Sequence, residues 1–198
     1  MIVSRETTAR LEHYVALLTK WNPAINLVAK STLPDVWSRH ILDSAQLFDL
    51  CPLQARTWVD LGSGGGFPGL VVAILASEAR PDLQVTLVES DQRKATFLRT
   101  VARETGVVAA ILGQRSEELA PQSADVLSAR AFAPLPLLLS QAFRHLKPGG
   151  VAFLPKGAQA DSEIAEALAT WAFRVQKTPS KTDLRAVILT IGELTRVA

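Results

Sequence analysis

The sequence predicts an α/β fold, a doubly wound and mostly parallel sheet of seven strands preceded by an N-terminal helical extension. Three observations lead there. From Arg56 onward short apolar runs alternate with stretches of helical periodicity, as in a parallel sheet covered on both faces. Gly62, Gly64, Gly65 and Gly66 follow the first of these runs and open the first helix after it. Before Arg56 the apolar spacing is helical and no strand signal occurs.

Taken in order, residues 5–20 place Leu11, Tyr14, Val15, Leu17 and Leu18 at helical spacing behind Ser4 as N-cap, and Trp21-Asn22-Pro23 is expected to stop that helix. Residues 36–50 read as a second helix, interrupted near Arg39. Strands are expected at 57–61, 84–88, 107–112, 125–128 and 151–154, with helices at 68–78, 92–105, 134–145 and 162–171. Lys147-Pro148-Gly149-Gly150 reads as the turn into the fifth strand. The last two strands, 173–177 and 186–191, are too close for a crossover helix and are expected to form an antiparallel edge hairpin.

The chain has 198 residues, 48% of them hydrophobic, enough for one buried core and too few for two full domains. The division is therefore a helical extension, 1–55, and a cofactor-binding domain, 56–198. No stretch approaches the ~20 apolar residues that span a bilayer, and no export signal opens the chain, so a cytoplasmic protein is expected. One cysteine, Cys51, excludes an intrachain disulfide, and His13, His40 and His145 show no metal-ligand spacing, so no metal is expected. A net charge of +2 admits a polyanionic partner without demanding one. Nothing in the chain asks for more than a monomer.

The turn Asp60-Leu61-Gly62-Ser63-Gly64-Gly65-Gly66-Phe67-Pro68-Gly69 carries the chemistry. Glycines there let the backbone turn tightly and approach a ligand where a β-carbon would collide. The dinucleotide pattern G-x-G-x-x-G, set on Gly62 and Gly64, requires glycine where Phe67 stands, and its shifted register puts Pro68 inside the turn. The pattern D-x-G-x-G-x-G fits Asp60, Gly62, Gly64 and Gly66 without strain. A strand-end carboxylate suits S-adenosylmethionine, whose ammonium and sulfonium are positive, better than a pyrophosphate. Glu89, ending the second strand, has two oxygens to accept both ribose hydroxyls, while Asp91 suits a helix N-terminus. After the third strand, 113–118 is a polar turn of the kind that flanks an adenine, with Ser116 and Glu117 offering hydrogen bonds. The fold class is thus that of the Rossmann-like class I methyltransferases.

Trp21-Asn22-x-x-Ile25-Asn26-Leu27, Arg39-His40-x-x-Asp43-Ser44, Asp60 to Gly69, Glu89, Ser128-Ala129-Arg130-Ala131-Phe132 and Pro155-Lys156-Gly157 together resemble the RsmG (GidB) family of small-subunit ribosomal RNA methyltransferases. The resemblance covers nearly the whole chain. It departs from the family at Ile25, where an aromatic is frequent, and in a short tail. It implies methyl transfer from S-adenosylmethionine to N7 of a guanine, nucleotide 527 in the usual numbering of 16S rRNA, with the small subunit as partner. By position it assigns cofactor contacts to Gly62, Phe67, Glu89, Ser90, Asp91, Ser116, Glu117 and Arg130. Arg130, after the fourth strand, has a fork of donors for a methionine carboxylate or an RNA phosphate, and Lys156 lies on the same sheet edge.

His40 and Asp43 stand three apart, on one helix face, as candidates to position the base, with Asp43 a possible acceptor for the guanine edge. No general base is expected, because N7 already carries a lone pair. Three rivals stay open: a methyltransferase with another RNA, protein or small-molecule acceptor, an NAD(P)-dependent oxidoreductase using the shifted glycine register, and a non-catalytic RNA-binding module. The oxidoreductase lacks a tyrosine in the sheet domain, since Tyr14 is the only one.

Overall fold

A computed structural model describes residues 3–130 and 133–197. It contains seven strands in the order β3-β2-β1-β4-β5-β7-β6. They are β1 Thr57–Leu61, β2 Gln84–Val88, β3 Ala110–Leu112, β4 Ala124–Ala129, β5 Leu146–Lys156, β6 Trp171–Pro179 and β7 Val187–Arg196. The helices are α1 Arg5–Ile25, α2 Asp43–Asp49, α3 Gly69–Ala79, α4 Gln92–Thr105, α5 Leu135–His145 and α6 Ala160–Ala167. Strands β1 to β5 run parallel, and β7 lies antiparallel between β5 and β6. The strand order reverses between β1 and β4, so their carboxyl ends flank the crevice where open α/β sheets bind ligands.

Burial follows from the layers. Trp58, Val59, Asp60 and Leu61 of β1 are all buried, because helices cover both faces of this central strand. Every residue of α3 from Gly69 to Ala76 is buried as well. A helix apolar all round needs cover on every side. Here α3 packs on β2, α1 and α2. The helical extension therefore supplies part of the core: Leu11, Tyr14, Leu18, Ile41 and Leu47 join Trp58, Leu70 and Phe97 in one apolar cluster. A second cluster on the opposite face gathers Val59, Leu127, Leu138, Leu139 and Leu154.

Several boundaries differ from the sequence expectation, each for a physical reason. Helix α1 runs through Pro23 to Ile25 and ends at Asn26 in the left-handed region, φ 49°. Proline removes one intrahelical bond in the last turn. Packing of Trp21 and Ile25 against the core, with Asn22 buried, carries the helix past it. The interruption near Arg39 is a π-helical segment, Trp37–Leu42, leading into α2. Lys147 to Gly150 is a bulge inside β5, where the register with β4 jumps from Ala124↔Leu146 to Val126↔Val151. Val107 closes the end of α4 through a bond to the Ala102 carbonyl rather than entering β3. Trp171, expected in a helix, begins β6.

Tyr14 fastens the extension to the glycine turn, its hydroxyl donating to the Gly65 carbonyl while its ring stacks on Phe67 at 5.2 Å. Tyr14→Phe should leave the fold intact but lower unfolding stability by about 1–2 kcal/mol, measured by urea denaturation, since a buried carbonyl loses its donor.

Candidate active site

The turn after β1 is built from short internal bonds. Ser63 N–H donates to the Val88 carbonyl at 3.0 Å, and the Gly66 and Phe67 amides both donate to the Ser63 carbonyl. Gly62 and Gly64 have φ of 65° and 55°, a region that costs glycine nothing. A β-carbon on Gly64 would meet no protein atom nearer than the Gly62 carbonyl at 3.8 Å, which leaves the space above the turn open. That space is a cavity of about 850 Å³. Its floor is the turn, one wall is the extension, and the others come from the loops after β2, β3, β4 and β5.

Asp60 is fully buried and is not among the residues that line this cavity. Its Oδ1 accepts from Ser128 Oγ at 2.6 Å and its Oδ2 from the Gly69 amide at 3.1 Å, so one carboxyl joins β1, β4 and the start of α3. Ser128 Oγ in turn accepts from Trp58 Nε1 at 2.8 Å. Burial raises the Asp60 pKa to about 6, against the pull of its donors from Ser128, Ser63 and Gly69.

Glu89 accepts from the Gly64 amide and from the Asp91 amide, both at 2.8 Å, through different oxygens. Its side chain therefore ties the glycine turn to the β2 edge. Each carboxylate oxygen keeps a second lone pair for a hydroxyl. On the far side of Glu89, Ser116 begins a short 3-10 turn, and its Oγ is buried without a partner although the residue lines the cavity. A buried hydroxyl left unpaired costs free energy that a bound ligand recovers. Two residues at the end of α5 carry this turn. His145 Nε2 donates to the Ser116 carbonyl at 3.0 Å, and Arg144 donates to the Leu119 carbonyl at 2.6 Å. Burial holds the His145 pKa below its usual value, which keeps the ring a neutral donor.

Opposite lies a network centred on Arg130. Its Nη1 donates to the Arg39 carbonyl at 3.2 Å and to Asp43 Oδ2 at 3.3 Å, and its Nη2 donates to His40 Nδ1 at 3.0 Å. The guanidinium carbon lies 5.1 Å from the Phe67 ring centroid. His40 stacks on the same ring at 4.9 Å. Asp43 Oδ1 accepts from Thr182 Oγ1 at 2.7 Å and from Gln46 Nε2 at 2.9 Å. Gln46 also receives the Lys181 amide at 2.9 Å, so the β6–β7 turn is docked on α2. Lys156 Nζ donates to the Ala133 carbonyl at 3.2 Å and pairs with Glu163 at 2.6 Å.

The family model described as rRNA small subunit methyltransferase G matches residues 7–187. The chain belongs to this family. Among its members, ribosomal RNA small subunit methyltransferase G of Cereibacter sphaeroides is 53% identical over 195 residues, 98% of this chain and 95% of that protein. The protein of the same name from Rhodospirillum centenum is 54% identical over 192 residues, 97% of this chain and 87% of its own length. Solved structures share the fold at lower identity. A TehB-like SAM-dependent methyltransferase from Corynebacterium glutamicum aligns with TM-score 0.59 and 14% identity over 93% of this chain and 98% of that one. The mitomycin 7-O-methyltransferase MmcR aligns with TM-score 0.64 and 16% identity over 96% and 68%.

In this member of the family, Gly62, Gly64, Phe67, Glu89, Ser90, Ser116, Glu117 and Arg130 all line the one cavity, joined by His40, Asp43 and Lys156. Asp60 and Gly66 do not. The β-carbon of a residue at 66, where φ is 98°, would fall 2.6 Å from both Leu70 and the Tyr14 hydroxyl, so Gly66 serves packing beneath the turn. Asp91 caps α4, accepting from the Arg93 amide at 2.8 Å, and borders a smaller neighbouring cleft. His40 and Asp43 do share a side, but they meet through Arg130 rather than directly. Asp43, considered as a guanine acceptor, has its oxygens engaged by Arg130, Gln46 and Thr182. Ala131 and Phe132, part of the family motif, lie outside the described residues.

Sequence reasoning missed Tyr14, Gln46 and Thr182. Only Tyr14 carried a visible signal, as the one tyrosine on the apolar face of α1. Among the described residues no group of three His, Cys, Asp or Glu side chains is placed to hold a metal, and no helix is long and apolar enough to cross a membrane.

Asp60→Ala should strand two buried donors, the Gly69 amide and the Ser128 hydroxyl, and lower unfolding free energy by roughly 2–5 kcal/mol. Calorimetric melting checks this, and a variant melting within a degree of wild type would remove Asp60 from its place as the joint of β1, β4 and α3.

Proposed function

We propose that this chain transfers a methyl group from S-adenosylmethionine to N7 of a guanine in 16S rRNA, at nucleotide 527 in the usual numbering, acting as a cytoplasmic monomer on the small ribosomal subunit. The match to the rRNA methyltransferase family over residues 7–187 carries the reading. The cavity fits the cofactor on its own terms. Glu89 keeps lone pairs toward the cavity for the ribose hydroxyls, Ser116 offers an unpartnered buried hydroxyl beside the adenine position, and Arg130 offers a cation for the methionine carboxylate. Bound there, S-adenosylmethionine supplies a methyl carbon made electrophilic by the adjoining sulfonium.

The groups on the opposite wall suit an acceptor that, like N7 of guanine, needs no proton removed. His40 Nδ1 is occupied by Arg130, and burial beside that guanidinium pulls the ring's pKa down to about 4. Asp43 accepts from Arg130, Thr182 and Gln46, and Lys156 is paired with Glu163. None of these groups is arranged to remove a proton from an acceptor. An amine or hydroxyl would need that help, whereas N7 attacks with a lone pair it already has. What remains for the protein is alignment of N7, methyl carbon and sulfur, with the base unpaired from its helix so that it can enter. In this reading the extension, residues 1–55, walls the acceptor side of domain 56–198.

The deciding experiment is transfer of labelled methyl to small subunits from a strain lacking the modification, with the product mapped by mass spectrometry. Label on N7 of one 16S guanine is the expected result. Label on another position or molecule would replace the acceptor and keep the cofactor. Glu89→Ala should weaken S-adenosylmethionine binding by roughly ten- to a hundredfold, about 1–3 kcal/mol, because hydroxyl acceptors and the tie to Gly64 are lost together. Isothermal calorimetry reads this directly, and unchanged affinity would remove Glu89 from the ribose site.

A further inference from the structure

The acceptor wall contains a histidine whose protonation state and tautomer are both set by its neighbours. His40 Nδ1 faces Arg130 Nη2 at 3.0 Å, and a guanidinium nitrogen only donates, so Nδ1 must be the bare nitrogen. The proton then sits on Nε2, which donates to Thr32 Oγ1 at 2.8 Å, and Thr32 Oγ1 passes its own hydrogen to the Ala29 carbonyl at 2.7 Å. Below the ring lies Phe67, 4.9 Å away and inclined by 26°, itself backed by Tyr14. The imidazole thus has its orientation fixed from three sides.

Arg130 is the group this arrangement serves. Nη1 is held by the Arg39 carbonyl and Asp43, and one Nη2 hydrogen by His40. Nε–H and one Nη2–H have no partner among the described residues, and free hydrogens on a guanidinium match a carboxylate. We propose that His40 is the positioning residue of Arg130, accepting one Nη2 hydrogen through a bare Nδ1 so that the guanidinium presents its free hydrogens to the carboxylate of the bound cofactor. This rests on reading the cavity as the S-adenosylmethionine site. Asp43 supplies the countercharge at Nη1, where the Arg39 carbonyl also binds, and His40 supplies the contact at Nη2, so the guanidinium is held at two nitrogens.

The charged groups facing His40 are Arg39 on its own helix, Asp43 on α2 and Arg130 at the end of β4. Burial and Arg130 depress its pKa to about 4, and Asp43 opposes them more weakly. The ring is therefore uncharged through the working range, and a protonated His40 would have no lone pair for Arg130. The sign follows: the contact is complete above pH 5 and is lost as pH falls toward 4.

Two side chains separate the ring's contacts. Asparagine puts an acceptor near the Nδ1 position and keeps the bond to Arg130, while glutamine reaches the Nε2 position and keeps only Thr32. Calorimetry with S-adenosylmethionine, and with 5′-methylthioadenosine, which lacks the amino-acid carboxylate, reads the difference. For S-adenosylmethionine, His40→Gln should lose about tenfold in affinity and His40→Asn less than about threefold. Methylthioadenosine should bind all three proteins alike. The ratio of S-adenosylmethionine affinities between wild type and His40→Asn should be the same from pH 8 to about 5, since groups shared by both proteins, Asp60 among them, cancel. Equal loss of both ligands in His40→Gln would overturn the inference, as would equal binding of S-adenosylmethionine by all three proteins or a wild-type to His40→Asn ratio that changed around pH 6.5. If wild type itself bound neither ligand, the cofactor reading of the cavity would fail before this one was reached.

Discussion

One buried carboxylate organises the centre of the molecule. Asp60 stands at the last-but-one position of β1 with no exposed surface, and its two oxygens reach β4 and the first residue of α3. The glycine turn must leave β1 and enter α3 within the span those two bonds allow. Gly69 has to lie against Asp60, where a β-carbon would fall 2.7 Å from the carboxylate oxygen. Ser128 has to sit level with Asp60 in the sheet, as the β1–β4 register places it. The cavity floor, the end of β4 and therefore Arg130 all take their positions from this joint. Charge buried this deeply is costly, and its bonds to Ser128 and Gly69 hold the turn in place.

The fold was readable because its signals are local. Buried strands alternating with helices, a glycine turn after the first strand and an acid at the end of the second each occupy a few consecutive residues, and together they specify a parallel sheet with a switch point. The gathering of Gly62, Gly64, Phe67, Glu89 and Ser116 on one cavity was readable for the same reason, since all of them follow strand ends. Asp60 shows the limit of such reading. Its place in the motif is correct, but whether a strand residue points inward or toward the crevice depends on the next strand over, and Ser128 lies 68 residues away.

The wall around Arg130 was readable only in part. His40, Asp43, Arg130 and Lys156 were visible as motif residues, but their partners were not. Arg130 reaches back to the extension across 87 residues to Asp43, and Asp43 in turn receives Thr182. No periodicity reports contacts of that range. The end of α1 failed differently: proline argues for termination locally, and the burial of Asn22 among core residues outweighs it. Asn22 then does the work expected of a turn residue one turn later, its Oδ1 accepting the Val28 amide at 2.8 Å.

The docking of the β6–β7 turn on α2 has a consequence for the order in which the molecule is made. The bond between Thr182 and Asp43 links residues 139 apart, and with Gln46 and Lys181 it closes the wall around Arg130. A nascent chain that has released β1 to β5 from the exit tunnel already owns the glycine turn, Glu89 and Arg130. It does not yet own Thr182. The cavity therefore gains its last side only when the β6–β7 turn reaches α2, although its floor is set by strands that precede it.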